Sequence, residues 1–228
     1  MSRRTCTLAS VPHGVVCISS QTGAGAQEAA QLVADLLDFR LIDEEIVTVA
    51  AVEAGVDTDV MADVERRRSR VLRVMEGLGT AGAGAGYMVP GADIFVPSAP
   101  PSDALRGMIR SVIDDTAAKG SAVILQHAAS LALAEREDVL RVLLTAPLPT
   151  RERRVASALG VDEKQAAREI KQSDNARADY LKRFYGVDAE LPTHYDLVVN
   201  TEKLSPEHAA ELIVHAAGGR TDARVPAA

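Results

Sequence analysis

Aromatic side chains are scarce in this chain: Phe and Tyr account for 3% of its residues, and Trp is absent. Any core must therefore be assembled mostly from Ala, Val, Leu and Ile. Positive charge is also in deficit, with a net charge of −7. A general nucleic-acid binder needs a basic face for the phosphate backbone, so that class is excluded. A nucleotide ligand is not, because it needs only a local positive pocket. Cysteine is limited to Cys6 and Cys17, too few for a disulfide framework. Cys17 falls inside an apolar run and reads as a small buried hydrophobe. No stretch approaches the roughly 20 apolar residues of a membrane span. The N-terminal MSRRTCTLASVPHG carries two Arg but no apolar run, so no signal peptide is expected and a cytoplasmic location is.

What is present is enough for one substantial α/β domain: 228 residues, 47% hydrophobic and 25% charged. Short apolar runs alternate with helical patterns. The runs are Gly14–Ser19, Phe39–Ile42, Ala122–Leu125, Val139–Thr145 and Leu197–Asn200. Continuous apolar runs separated by helices predict a five-stranded parallel sheet covered on both faces. One helix is expected from Ala26 to Leu37, with Ala29, Leu32, Val33, Leu36 and Leu37 as its apolar face. Others are expected from Glu44 to Ala54 behind Asp43, from Asp57 through Glu65–Arg68 toward Met75, and after Ser102. An Arg-rich helix is expected from Thr150 to Leu159, then one long helix or two after Asp162, then a last one capped by Ser205-Pro206. Residues 1–13 and 218–228 read as flexible ends around a single domain over 14–217. Within it, residues 77–101 are rich in Gly, Ala and Pro and read as a mobile loop, either ordering against a ligand or second subunit or serving as a plain insertion.

The first apolar run ends in Ser19-Ser20, and a Gly23-Ala24-Gly25 turn follows before the first helix. A glycine turn of this kind lets several backbone N–H groups converge on one phosphate, and a helix N-terminus adds partial positive charge. Strand, glycine turn and helix in this order form a phosphate cradle; the competing reading is a tight turn that binds nothing. A phosphate loop ordinarily carries Lys and a hydroxyl residue at its end, where this chain has Ala26 and Glu28 with Gln27 between them. If a triphosphate binds here, the cations must come from elsewhere. Arg151, Arg153 and Arg154 follow the fourth run, and Lys171, Arg177, Lys182 and Arg183 lie in the next helical stretch. Asp174, Arg177 and Tyr180 recur three apart and can share a helical face. A solvated helix with internal ion pairs is the alternative for that stretch.

Four stretches resemble the cytidylate kinase-like family of the nucleoside monophosphate kinases: SSQTGAGAQEAAQLVADLLDFRLIDEEIV, AVILQHAAS, RVLLTAPLPTRERRVASALGVDEKQAAREIKQSDNARADYLKRFYG and HYDLVVNTEKLSPEHAAELI. Together they span roughly residues 14–54 and 120–215. The resemblance implies a three-layer P-loop kinase fold with a five-stranded parallel sheet and a basic helical lid over about residues 150–186. It implies transfer of the γ-phosphoryl group of ATP, with Mg²⁺, to a nucleoside monophosphate such as CMP or dCMP, or to another small acceptor; homo-oligomerisation stays open. By the same resemblance Ser20, Thr22, Gly23, Ala24, Gly25, Ala26, Gln27 and Glu28 form the donor-phosphate loop. Asp43 lies near the acceptor or metal, and Ser20, Glu28 or Asp43 would touch Mg²⁺. Arg151, Arg154 and Arg177 serve transfer from the lid, and His127, Asp174, Tyr180 and Arg183 line the acceptor side.

The chain also departs from the pattern. Ala26 stands where cytidylate kinases carry Lys, and Gln27 where the cytidylate kinase-like branch commonly has Arg. The third strand runs into Gln126-His127 where the family tends to have Gly-Arg. His127 is open to two readings, a phosphate donor when protonated or a neutral packed side chain. Three function classes follow: an active kinase, a nucleotide-binding regulator that keeps the fold without the transfer, and an interaction protein using residues 77–101 as a docking surface.

Overall fold

The structure, a computed structural model, describes residues 13–43, 45–55, 87–88, 95–96 and 102–218. The helix expected between Asp57 and Met75, most of residues 77–101 and the two ends lie outside the described residues. The chain divides into two compact units, residues 1–43 with 113–228, and residues 44–112.

The larger unit is built on a five-stranded sheet: β1 (Val15–Ser20), β2 (Arg40–Ile42), β5 (Ala122–Leu125), β6 (Val139–Thr145) and β7 (Leu197–Asn200). Its order is β2-β5-β1-β6-β7. All four pairings are parallel, with Val16 of β1 opposite Val123 on one side and Leu140 on the other. The expected all-parallel sheet is therefore present, and β1 is its buried centre, every residue from Val15 to Ser20 shielded from solvent.

One face of the sheet is covered by α1 (Ala26–Leu37) and α7 (Pro206–Ala216). Ala29, Ala30, Val33 and Ala34 of α1 share a core with Ala209, Ala210, Ile213 and Val214 of α7 and with Val16, Ile18, Val123, Leu125, Val142 and Leu144 of the strands. Alanines let the two helices approach the sheet closely, so a core almost without aromatics still fills its space. The apolar face of α1 differs from the expected one in a single respect. Leu36 is 52% exposed while Ala30 and Ala34 are buried. Cys17 is fully buried on β1, as expected of a small hydrophobe, and burial pushes its thiol pKa far up. On the opposite face α4 (Ala129–Ala132) places Ser130 Oγ 3.1 Å from Ser19 Oγ.

The stretch expected to form a lid is a helical hairpin, α5 (Leu148–Leu159) and α6 (Glu163–Tyr185), closed by Val155, Ala166 and Ile170. The Arg-rich helix begins two residues before Thr150, because Pro149 suits a first helical turn and Pro147 caps it. The stretch after Asp162 is one helix, not two: Asp162 accepts from Gln165 N–H at 2.7 Å, and Gly186 ends the helix in the left-handed conformation. Ser205 and Pro206 open α7 as expected.

The smaller unit holds α2 (Glu45–Ala54), an antiparallel pair β3 (Tyr87–Met88) and β4 (Phe95–Val96), and the first part of α3 (Ser102–Lys119). The strand pair falls inside the glycine-rich segment, which the sequence pattern presents only as a loop. Two-residue strands are too short to show an alternating signal.

Candidate active site

The C-terminal ends of β1, β5 and β6 meet where the sheet order reverses about β1, the usual place for a ligand in an open parallel sheet. From β1 the chain runs through Gln21–Gly25 into α1. Gly23 and Gly25 have φ of +84° and +77°. Gly23 is also pressed against α5: a Cβ there would lie 2.9 Å from the Arg151 carbonyl oxygen and 3.0 Å from Arg151 Cβ. Gly25 is the N-cap of α1 and brings no side chain to its first-turn N–H groups. The loop is thus a bare backbone cradle at a helix N-terminus, which fits a phosphate. Ala24 and Ala26 are buried, whereas Gln27 and Glu28 are exposed. Ala26 belongs to the sheet–helix core, so the position where a loop lysine is expected is filled by packing.

Arg151 and Arg154 supply the positive charge beside the loop. Arg151 is 5% exposed. Its Nη1 donates to the Thr22 carbonyl and to Asp174 Oδ1, each at 3.1 Å, and Nη2 donates to Asp174 Oδ2 at 2.7 Å. Arg154 Nη1 reaches the Gly23 carbonyl at 3.4 Å and the Thr201 hydroxyl at 3.0 Å, while Nη2 donates to the Thr201 carbonyl at 2.6 Å. The Thr201 hydroxyl donates to the Ala24 carbonyl at 2.8 Å. Helix α6 touches the loop through one face. The Ser173 hydroxyl lies 2.7 Å from that of Thr22, and Asp174 holds Arg151.

Arg177, on the same face, donates Nε to Glu190 Oε2 at 3.0 Å and Nη2 to Oε1 at 2.6 Å. Its Nη1 reaches Gln126 Oε1 at 3.3 Å, and Gln126 Nε2 donates to Ser20 Oγ at 2.6 Å. Tyr195 donates its hydroxyl to Glu190. Burial alone would raise the Glu190 carboxyl, but the hydrogen bonds and charge of Arg177 outweigh it and hold the pKa below the usual range. Burial, reinforced by Glu190, pushes the Tyr195 hydroxyl up to about 12.

Asp43 and His127 meet at the ends of the adjacent strands β2 and β5, with Oδ1 and Nε2 3.5 Å apart. His127 belongs to a run of three non-glycine residues in the left-handed region: Gln126 at φ +69°, His127 at +53° and Ala128 at +52°. Each such residue costs about 1–3 kcal/mol relative to relaxed backbone. Tyr180 packs in a small core with Ala128 and Leu181, its ring edge-on to Phe184. The Arg183 guanidinium lies 4.2 Å above the Phe184 ring. The structure therefore gathers Ser20, Thr22, Gly23, Ala24, Gly25, Arg151, Arg154, Asp174 and Arg177 around the loop. It draws Asp43 and His127 together at β2 and β5, and it gives Tyr180 and Arg183 packing contacts within and beside α6.

Four participants carry no motif of their own in the sequence: Thr201, Ser173, Glu190 and Tyr195. Only the hydroxyls of Thr201 and Ser173 hint at such a role, and hydroxyls are common. No group of three His, Cys, Asp or Glu side chains capable of holding a metal occurs among the described residues. A Mg²⁺ ion here would fit in the way typical of phosphate sites, bound mainly by substrate phosphates and water with one or two protein oxygens such as Ser20 or Asp43.

The model of the cytidylate kinase-like family matches residues 15–203. The cytidylate kinase of Ignicoccus hospitalis is 35% identical over 104 residues, 46% of this chain and 59% of that protein. The cytidylate kinase of Aeropyrum pernix is 34% identical over 106 residues, 46% of this chain and 61% of that protein. The chain thus spans about three fifths of the length of these curated relatives. A crystal structure of an uncharacterized protein from Eubacterium ventriosum superposes with a TM-score of 0.63 at 17% identity, covering 90% of this chain and 99% of that one. No helix among the described residues is long and apolar enough to cross a membrane.

Proposed function

The chain belongs to the cytidylate kinase-like family, and we propose that it transfers the γ-phosphoryl group of ATP to a nucleoside monophosphate of the CMP or dCMP kind, acting in the cytoplasm. The observation that carries this reading is the docking of a basic helical hairpin on a bare glycine cradle. Arg151 and Arg154 both reach loop carbonyls, at Thr22 and Gly23. A cradle alone binds any anion, whereas two guanidiniums fixed beside it supply positive charge of the kind phosphoryl transfer uses. That reaction needs positioning and charge stabilisation more than covalent chemistry.

In this reading the N–H groups of Gly23–Gly25 and the first turn of α1 hold the donor phosphates. Arg151 and Arg154 stand in for the loop lysine, their direction fixed by Asp174 and Thr201. Arg177 faces the transferred group from α6, and closure of the hairpin excludes water. Asp43 and His127 orient the acceptor from the ends of β2 and β5. Ser20 or Asp43 would hold a Mg²⁺ ion bound with the nucleotide, and the ion would supply further positive charge to the donor phosphates.

A second reading, a nucleotide-binding regulator without transfer, is favoured by one observation: Ala26 occupies the lysine position and is part of the core. Thermal stability measured with ATP, ADP and CMP, with and without Mg²⁺, together with a coupled assay for ADP release, separates the two. A ligand at 100 times its dissociation constant adds about 2.7 kcal/mol. The kinase reading expects stabilisation by ATP and CMP and CMP-dependent release of ADP. Stabilisation without ADP release selects the regulator, and no stabilisation by any nucleotide overturns both.

A further inference from the structure

We infer that Gln126 is a positioning residue that couples the lid helix α6 to the phosphate loop, so that Arg177 and Ser20 are aligned through a single amide. This assignment rests on the kinase reading for its functional consequence, but its structural content stands apart from it.

Gln126 sits at φ +69°, a region in which a side chain is disfavoured and glycine is at ease. A glycine would adopt this backbone without strain, so a long side chain here needs contacts that offset the strain. Those contacts occur at both ends of the amide. Nε2 donates to Ser20 Oγ at 2.6 Å, and Oε1 accepts from Arg177 Nη1 at 3.3 Å. Ser20 is the last residue of β1, immediately before the loop. Arg177 lies near the middle of α6 and is anchored beyond the amide by Glu190, which also accepts from Tyr195.

The backbone of Gln126 fixes where the amide stands. Its N–H donates to the Ile18 carbonyl at 2.8 Å, so the residue is pinned to β1. The left-handed turn then throws the side chain back across the loop entrance instead of onward along β5. A side-chain amide is a neutral group that donates at one end and accepts at the other. A carboxylate would accept from Arg177 and could not donate to Ser20, although the Ser20 hydroxyl could donate to it, and an ammonium would donate to Ser20 and could not accept from Arg177. The continuous line Tyr195–Glu190–Arg177–Gln126–Ser20 thus ties the element that carries lid charge to the element that opens the phosphate loop.

The test uses three variants of the full chain. Gln126→Gly accepts the backbone without strain and deletes the amide. Gln126→Glu keeps the acceptor for Arg177 and removes the donor to Ser20. Gln126→Asn tolerates the left-handed region but shortens the reach. Hydrogen exchange without ligand is read at residues 20–25 and 170–180, beside the melting temperature. The coupling predicts that Gln126→Gly melts at or above the parent temperature while exchange speeds up in both segments and stays unchanged in β5 and β6. Gln126→Glu should leave exchange at residues 170–180 near the parent rate, because the carboxylate still accepts from Arg177. Unchanged exchange in either segment of Gln126→Gly overturns the assignment whether or not the protein binds nucleotide. In the nucleotide-binding protein, the same variant should weaken affinity for a non-hydrolysable ATP analogue about tenfold, with Gln126→Asn intermediate. Parent-like affinity in Gln126→Gly also overturns it. A parent chain that ignores nucleotides but shows the exchange coupling sinks the kinase reading and leaves the coupling standing.

Discussion

Arg154 grips Thr201 at two points, the hydroxyl at 3.0 Å and the carbonyl at 2.6 Å, and Thr201 in turn donates to the carbonyl of Ala24 at 2.8 Å. A single threonine after the last strand therefore sets both the shape of the glycine loop and the direction of an arginine of the hairpin. Thr201 is 4% exposed, so water does not replace what it loses. Thr201→Val keeps the volume and removes the hydroxyl. It is expected to cost about 1–3 kcal/mol in denaturant unfolding, with an unchanged slope, and to weaken ATP binding by more than the stability loss accounts for. Parent-like affinity would show that Arg154 takes no direction from Thr201.

The two loop glycines should respond unequally. Both have positive φ, so Ala strains either. At Gly23 the new methyl also meets Arg151 backbone at 2.9 Å, whereas at Gly25 the nearest atom is Arg154 Nη1 at 3.9 Å. Gly23→Ala should therefore cost about 1–3 kcal/mol more than Gly25→Ala and should displace α5. Equal melting temperatures for the two variants would contradict the close approach of Arg151.

Acid should act on Glu190. Its folded pKa is depressed, so the stability it contributes is complete above about pH 4.3, its unfolded value, and is lost as pH falls through the lower folded value. Arg177→Gln removes the charge that outweighs burial, so the Glu190 pKa should rise and the stability lost through Glu190 below about pH 4.3 should shrink or reverse in sign. Unfolding free energies from pH 3 to 7 for the parent and variant test this shift directly.

Restoring a loop cation tests the donor side. Gln27 is exposed in the first turn of α1, so Gln27→Arg needs no repacking. It should tighten ATP several-fold at low salt, an effect of about 1 kcal/mol, and the gain should shrink as salt rises. A gain that persists undiminished at high salt would mean that the introduced guanidinium acts by something other than charge.

Arg177 itself should matter for turnover. Arg177→Ala is expected to lower phosphoryl transfer by a factor on the order of 10², and unchanged turnover would remove it from the transfer machinery.

The order of strands and helices was legible because apolar runs and helical periods are local properties, read within a dozen residues. The parallel sheet, the glycine cradle after β1, the caps at Asp162 and Ser205 and the burial of Cys17 all follow from such local signals. Basic residues beside the cradle were also legible as a local excess of Arg. Their partners were not. Arg151 meets Asp174, Arg154 meets Thr201 and Arg177 meets Glu190 across turns that no pattern in the sequence specifies. Gln126 reads in sequence only as a residue standing where the family tends to have Gly, because its role lies in having a different partner at each end of one amide. Pairing of this kind depends on where the hairpin docks, and docking is set by long-range packing rather than by neighbours along the chain. Local patterning was thus enough for the sheet, the cradle and the supply of charge, each written within a single strand, turn or helix. Which carboxylates and hydroxyls aim that charge was left to the folded chain, because those partners lie 13 to 47 residues away and meet the arginines only once the hairpin is packed.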